Sequence, residues 1–165
     1  MYLKRLELQG FKTFAQKTGL EFVLDKAGRR GVTAVVGPNG SGKSNVADSL
    51  RWVMGEQSMK LLRGKRSEDV IFSGTERRAR SGFAEVTMTL ENDESGEIGC
   101  SEIAITRRLY RDGNSEYEVN RQSARLQDVQ LLLAQYGVGQ RTYSVIGQGM
   151  VDQVLVASPT ERKEF

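Results

Sequence analysis

The stretch Gly37-Pro38-Asn39-Gly40-Ser41-Gly42-Lys43-Ser44 constrains this chain more than any other. It fits G-x-x-x-x-G-K-[ST] in full, and its flanks limit the fold. Before it, Val32 to Val36 (VTAVV) is nearly all apolar and β-branched, the pattern of a central strand covered on both faces. After it, Val46, Ala47, Leu50, Val53 and Met54 fall on one helical face, with Asp48 and Arg51 opposite. Gly55 is placed to give a left-handed C-terminal cap. Strand, glycine-rich loop and amphipathic helix in that order predict an α/β chain.

Each part of the loop has a physical task. Its glycines let the backbone curl through positive φ, so that N–H groups from about Gly40 to Ser44 converge on phosphate oxygens. The helix that follows turns its positive dipole end to the same anion. Lys43 can bridge β- and γ-phosphates, and the Ser44 hydroxyl can ligate Mg²⁺. The plain structural alternative is a strand–helix turn that holds no ligand, and the flanking pattern argues for nucleotide binding instead. A second apolar strand ending in Asp or Glu, which usually orients Mg²⁺ and the attacking water, does not follow the loop. Met88-Thr89-Leu90-Glu91 ends in an acid, but its alternation marks a half-exposed strand. The site reads as incomplete within these residues.

Composition narrows the chemistry further. The chain has 165 residues, 38% hydrophobic and 27% charged, enough for one domain with a sizeable core. It has no histidine, which excludes His-based triads and His-ligated zinc, and one cysteine, Cys100, which excludes an internal disulfide. No apolar run approaches the roughly 20 residues of a membrane helix, and MYLKRLELQGF lacks the apolar stretch of a secretory signal. The expectation is a cytoplasmic protein with no membrane partner. The net charge is 24 − 21 = +3, too small to demand a polyanion. The basic residues do cluster, at Lys60, Arg63, Lys65 and Arg66, at Arg77, Arg78 and Arg80, and at Arg107, Arg108 and Arg111. Such clusters either neutralise nucleic-acid phosphates or form a solvated surface, and no interleaved aromatics suggest a stacking platform.

Elsewhere the pattern reads mainly as β. Leu6 and Leu8 share one strand face, and Leu20, Phe22 and Leu24 share another, with GFKTF and Gln16 to Gly19 as the turn or loop between. Asp25 to Gly31 is a polar connection, and Val70-Ile71-Phe72 a short strand. Phe83 to Leu90 alternates cleanly, Ile103 to Tyr110 is a further strand, and Arg111 to Asn114 turns the chain into Tyr117 to Asn120. These three strands form an expected antiparallel meander. A helix fits Leu126 to Tyr136, closed by Gly137, and a strand fits Tyr143 to Ile146. Ser158-Pro159-Thr160-Glu161 has the residues of a helix start with four residues left after it, so a fragment is expected.

Taken together the segments resemble one family, the structural-maintenance-of-chromosomes (SMC) ATPases, as a bacterial-type N-terminal head lobe. The resemblance rests on MYLKRLELQGFKTF, VTAVVGPNGSGKSNVADSLRWVMGEQS and LRGKRSEDVIFSGT, then on EVTMTLEND, ITRRLYRDGNSEYEVN and YSVIGQGMVDQVL. It implies an α/β P-loop NTPase of ABC type, with a mixed sheet around the P-loop and an antiparallel β portion. Residues 1–157 would form the lobe, and 158–165 the start of a truncated helix leading toward a coiled coil. The C-terminal lobe would supply the signature motif and the acidic strand missing here. Two heads would then sandwich two ATP molecules.

The resemblance also assigns residues. Gly37 to Asn45 (Gly37, Pro38, Asn39, Gly40, Ser41, Gly42, Lys43, Ser44, Asn45) would bind nucleotide, with Lys43 catalytic and Ser44 on Mg²⁺. Gln148 would be the Q-loop glutamine, touching Mg²⁺ and the catalytic water. Arg63, in the family's LRG segment, would approach nucleotide across engaged heads. Lys12 and Thr13 would lie near the sugar and base. Lys65, Arg66, Arg107, Arg108 and Arg111 are the DNA-binding candidates. Implied partners are the C-terminal lobe, a second head in a homodimer, DNA and kleisin-type subunits, in a nucleoid-associated cytoplasmic protein. GFKTF in place of GFKSF keeps the hydroxyl, DKAGRRG is longer than the usual link, and Gly147 departs from a bulkier or polar residue. A RecN- or RecF-like repair head and a small P-loop kinase are the alternatives.

Overall fold

A computed structural model describes residues 1–23, 31–91 and 102–138. Among the described residues six strands form one sheet in the order β2-β1-β3-β4-β5-β6, every neighbouring pair antiparallel. They are β1 (Tyr2–Gln9), β2 (Thr18–Glu21), β3 (Phe83–Glu91), β4 (Glu102–Tyr110), β5 (Ser115–Val119) and β6 (Gln122–Ala124). The helices α1 (Lys43–Val53) and α2 (Leu126–Gln135) pack against β3–β4 and β5 respectively.

The period-2 alternation decides which face is dry. Leu6 and Leu8 of β1, Ala84, Val86, Met88 and Leu90 of β3, and Ile103, Ile105 and Leu109 of β4 are all buried. The opposite face carries charge: Glu85 lies across from Arg108, and Arg108 across from Glu116. Arg108 is bonded to Glu85, Glu116 and Glu118. Burial pulls its guanidinium down, but the hydrogen bond and charge of Glu85 outweigh this and hold it above the ordinary arginine range.

The expected meander is present, and the chain extends it. After β5, Asn120 and Arg121 both take positive φ (50° and 68°), the two-residue reversal that matches strand twist, and β6 returns against β5. The Val70–Phe72 segment is only partly a strand. Ser67–Val70 is a 3₁₀ turn, Ile71 makes a single bridge to Phe11, and the Phe72 N–H donates to the Gly10 carbonyl.

Val32 to Val36 differs from expectation. It forms no strand, and Val32 (101%), Val35 (48%) and Val36 (86%) stand exposed. The physical reason is the sheet order. All six described strands pair with one another, and none offers Val32–Val36 a hydrogen-bonded neighbour. The mixed sheet expected around the loop is therefore not present among the described residues, where the sheet is wholly antiparallel. Tyr143–Ile146, Gln148, Cys100 and the helix start at Ser158 lie outside the described residues.

Candidate phosphate-binding site

The site is built at the start of α1. Gly40 and Gly42 take φ of 82° and 98°, and Gly42 is the helix N-cap. A side chain at Gly42 would be strained twice over, because a Cβ there would also lie 2.8 Å from Thr13 Oγ1. The loop is tied by Ser41 N–H to the Pro38 carbonyl (3.2 Å) and by Asn45 N–H to the Gly42 carbonyl (2.8 Å). Among the described residues the N–H groups of Gly42, Lys43 and Ser44 meet no acceptor. These are the orphan donors of a helix start, aligned with its positive dipole end. Gly37 to Ser41 and Ser44 are exposed.

Lys43 lies back over its own loop, its Nζ donating to the Gly37 (2.7 Å) and Pro38 (2.9 Å) carbonyls. Both are neutral acceptors, so a phosphate oxygen, carrying charge, competes with them favourably. The donor set (three amide N–H groups, an ammonium and a hydroxyl) fits a polyphosphate. For Mg²⁺ the described residues offer the Ser44 hydroxyl and no cluster of three acidic or cysteine side chains.

Three other predicted residues converge here. Thr13 Oγ1 accepts from Asn45 Nδ2 (3.0 Å), and Asn45 Oδ1 accepts from Arg63 Nη2 (3.0 Å). Lys12 is not free to meet a sugar or base. Its ammonium donates to Asp48 Oδ2 (2.5 Å) and to the Leu62 carbonyl, and its side chain is 11% exposed. Sequence reasoning missed Asp48, assigning it to the solvent face of α1. It is 3% exposed, while Ala47, expected inside, is exposed. Its partners lie 36 and 15 residues away, so no local pattern reveals it.

The basic residues separate by environment. Lys65 and Arg66 are exposed. Their N–H groups donate to Asp69 (2.7 and 2.9 Å), bonds that hold that carboxylate below its ordinary range, with Arg66 the larger cause. Arg107 corrects the expectation of a solvent-facing cation. It points into the core with Ile105 and Leu109, and its Nη1 donates to the Trp52 (2.8 Å) and Glu56 (2.9 Å) carbonyls at the end of α1. Its guanidinium lies between the rings of Trp52 and Tyr117, with burial pulling its pKa down. Arg111 is tied to the Ser81 (2.6 Å) and Phe72 (3.0 Å) carbonyls, and Arg108 to the acids described above.

Against known proteins, the family model for the RecF/RecN/SMC N-terminal domain matches residues 2–149. The chain belongs to this family. The chromosome partition protein Smc of Mycolicibacterium paratuberculosis is 54% identical over the whole of this chain. The chain spans only 13% of that relative's length. A solved chain from work on ATP-driven dimerization and DNA-stimulated activation of SMC ATPases superposes with a TM-score of 0.89. It is 34% identical, with 99% of this chain and 96% of that one covered. An Smc head bound to the C-winged-helix domain of ScpA gives 0.88 at 34% identity, covering 96% of this chain and 48% of that one. RecF bound to ATP shares the fold at a TM-score of 0.58 and 18% identity, covering 99% of this chain and 37% of that one. The family fold is thus that of an ABC-type ATPase head, represented here by its N-terminal lobe. Within it, no described helix is long and apolar enough to cross a membrane.

Proposed function

We propose that this chain is the ATP-binding half of an SMC head, with residues 1–157 as the lobe and 158–165 leading toward a coiled coil. The observation that carries the reading is the cradle at α1: orphan N–H groups of Gly42 to Ser44, with the Lys43 ammonium resting on replaceable carbonyls. The stronger likeness to SMC heads than to RecF favours chromosome organisation over repair.

In this reading the chain's own residues bind and orient. Amide N–H groups and Lys43 hold the β- and γ-phosphates, while Thr13 and Asn45 brace the loop from the side. Ser44, and Gln148 by family resemblance, would hold Mg²⁺, which when bound neutralises charge on the transferred phosphoryl group. Arg63 would serve the nucleotide of an opposing head. Hydrolysis would require the C-terminal lobe and that second head. Engagement of the two would couple to DNA, for which Lys65 and Arg66 are the exposed candidates, and to a kleisin-type subunit like the ScpA domain carried by the solved relative. The protein would be cytoplasmic and nucleoid-associated.

Binding of a fluorescent ATP analogue, with and without Mg²⁺, tests the cradle. Lys43→Ala, which removes charge-assisted bonds to phosphate, should weaken binding roughly 10- to 150-fold. Equal affinity in the wild type and Lys43→Ala would overturn the reading.

A further inference from the structure

Asp48 is the residue of the site that no motif assigns. A carboxylate this deeply buried is unfavourable unless ionically paired. Here one oxygen, Oδ2, does nearly all the pairing: it accepts from Lys12 Nζ at 2.5 Å and from Arg63 at 2.6 Å (Nη2) and 3.1 Å (Nε). The two cations arrive on separate loops, and both sit on residues in the left-handed region, Lys12 at φ 48° and Arg63 at φ 55°. Such backbones are disfavoured for side-chain-bearing residues and persist where surrounding contacts over-determine them. The carboxylate is the shared contact of both loops.

Its position matters as much as its partners. Asp48 lies four residues after Ser44, one helical turn below the phosphate-facing N–H groups. Lys12 is consumed inside the network, held by Asp48 and the Leu62 carbonyl. Arg63 is not: its side chain is 51% exposed, and among the described residues Nη1 has no partner. With Nε and Nη2 both fixed, the rigid fork leaves Nη1 as its one unbonded nitrogen on a half-exposed side chain. Asn45 Oδ1 braces the same nitrogen, which ties the orientation of the fork to the phosphate loop through Thr13.

We propose that Asp48 is the positioning residue of this site, holding the Arg63 guanidinium so that its unbonded Nη1 meets a phosphate brought by another copy of the head. Lys12 supplies the second positive charge that keeps the buried carboxylate paired. The inference rests on the reading of this chain as an SMC ATPase half whose Arg63 acts across heads. Asp48 itself touches no nucleotide. It acts through Arg63, so its effect belongs to turnover and not to nucleotide affinity.

The test is a double-mutant cycle in the full-length protein with Asp48→Asn, Arg63→Ala and the pair, reading ATP turnover and the Kd of a fluorescent ATP analogue. Asp48→Asn should lower kcat about fivefold or more with Kd moved less than about twofold. In the Arg63→Ala background, the same change should cost less than about twofold further. Full additivity, or a parallel loss of affinity and turnover, overturns the proposal. So does unchanged turnover in Asp48→Asn where Arg63→Ala is inactive, an outcome that leaves the role of Arg63 standing. Normal turnover in Arg63→Ala removes the cross-head role and the proposal with it. Should Asp48→Asn unfold, Asp48→Leu with Lys12→Met deletes both buried charges together and still releases Arg63. The same non-additivity is required of it.

Discussion

The sheet and the phosphate loop are neighbours in one chain, yet they are stabilised in opposite ways. The sheet is satisfied from within. β3 is paired on both sides, its Ala84, Val86 and Met88 are buried, and α1, whose Trp52 and Val53 are buried, packs against it. The approach to the loop is not: Val32 and Val36 are apolar, β-branched and exposed, and Gly37 to Ser41 face solvent. Burial of apolar area is the main favourable term in folding, so an exposed run of valines gains nothing where it stands. The contrast teaches that the fold is carried by the meander and α1, whereas the binding loop borrows its support. It hangs on the N-terminus of α1 and on the Thr13–Asn45 bond.

Changes to the buried side should break that contrast most strongly. Trp52 is 2% exposed, packs its ring at a tilt against Phe11 (5.3 Å between rings) and shields the Arg107 guanidinium. Trp52→Ala should cost about 3–5 kcal/mol in urea unfolding. Arg107→Ala comes next, at about 2–3 kcal/mol, because it strips two carbonyls at the end of α1 of a charged donor. Its effect should be read in stability. In DNA titrations Lys65→Ala or Arg66→Ala, and not a folded Arg107 variant, should reduce the salt slope by about one unit each.

Smaller effects sharpen the comparison. Asp69 has a depressed pKa in the folded chain, so its contribution is present above its ordinary 3.8 and lost as the pH falls below that toward the lowered value. Asp69→Asn should therefore lower stability at neutral pH and narrow the loss between neutral and strongly acid pH, as followed by circular dichroism. Val36→Ser should be nearly silent in the isolated lobe, within about 0.5 kcal/mol. A cost of several kcal/mol at Val36 would mean that the segment approaching the loop is buried in the lobe.

What the sequence discloses follows from the range of the interactions. Phe83 to Leu90 is readable because strand alternation is local, and the α1 helix because its glycine loop and periodicity are contiguous. Arg107 was open to the same reading: it shares parity with Ile103, Ile105 and Leu109, and that parity outweighs the attraction of calling three arginines a patch. β6 is only Gln-Ser-Ala after an Asn-Arg turn, too short for a hydrophobic pattern to mark it. Asp48 was not readable, since its burial depends on cations that only the fold brings near. Val32–Val36 has the composition of a covered strand, but composition does not say which chain segment covers it.

The central claim is that this chain holds a phosphate cradle whose catalysis must be completed by other parts of a head. The most direct measurement is ATP turnover by the chain alone and after addition of the separately produced C-terminal lobe, each with a Lys43→Ala control. The account predicts turnover only on mixing, lost in the control. Lys43-dependent turnover by the chain alone, at the same rate as in the mixture, would contradict it.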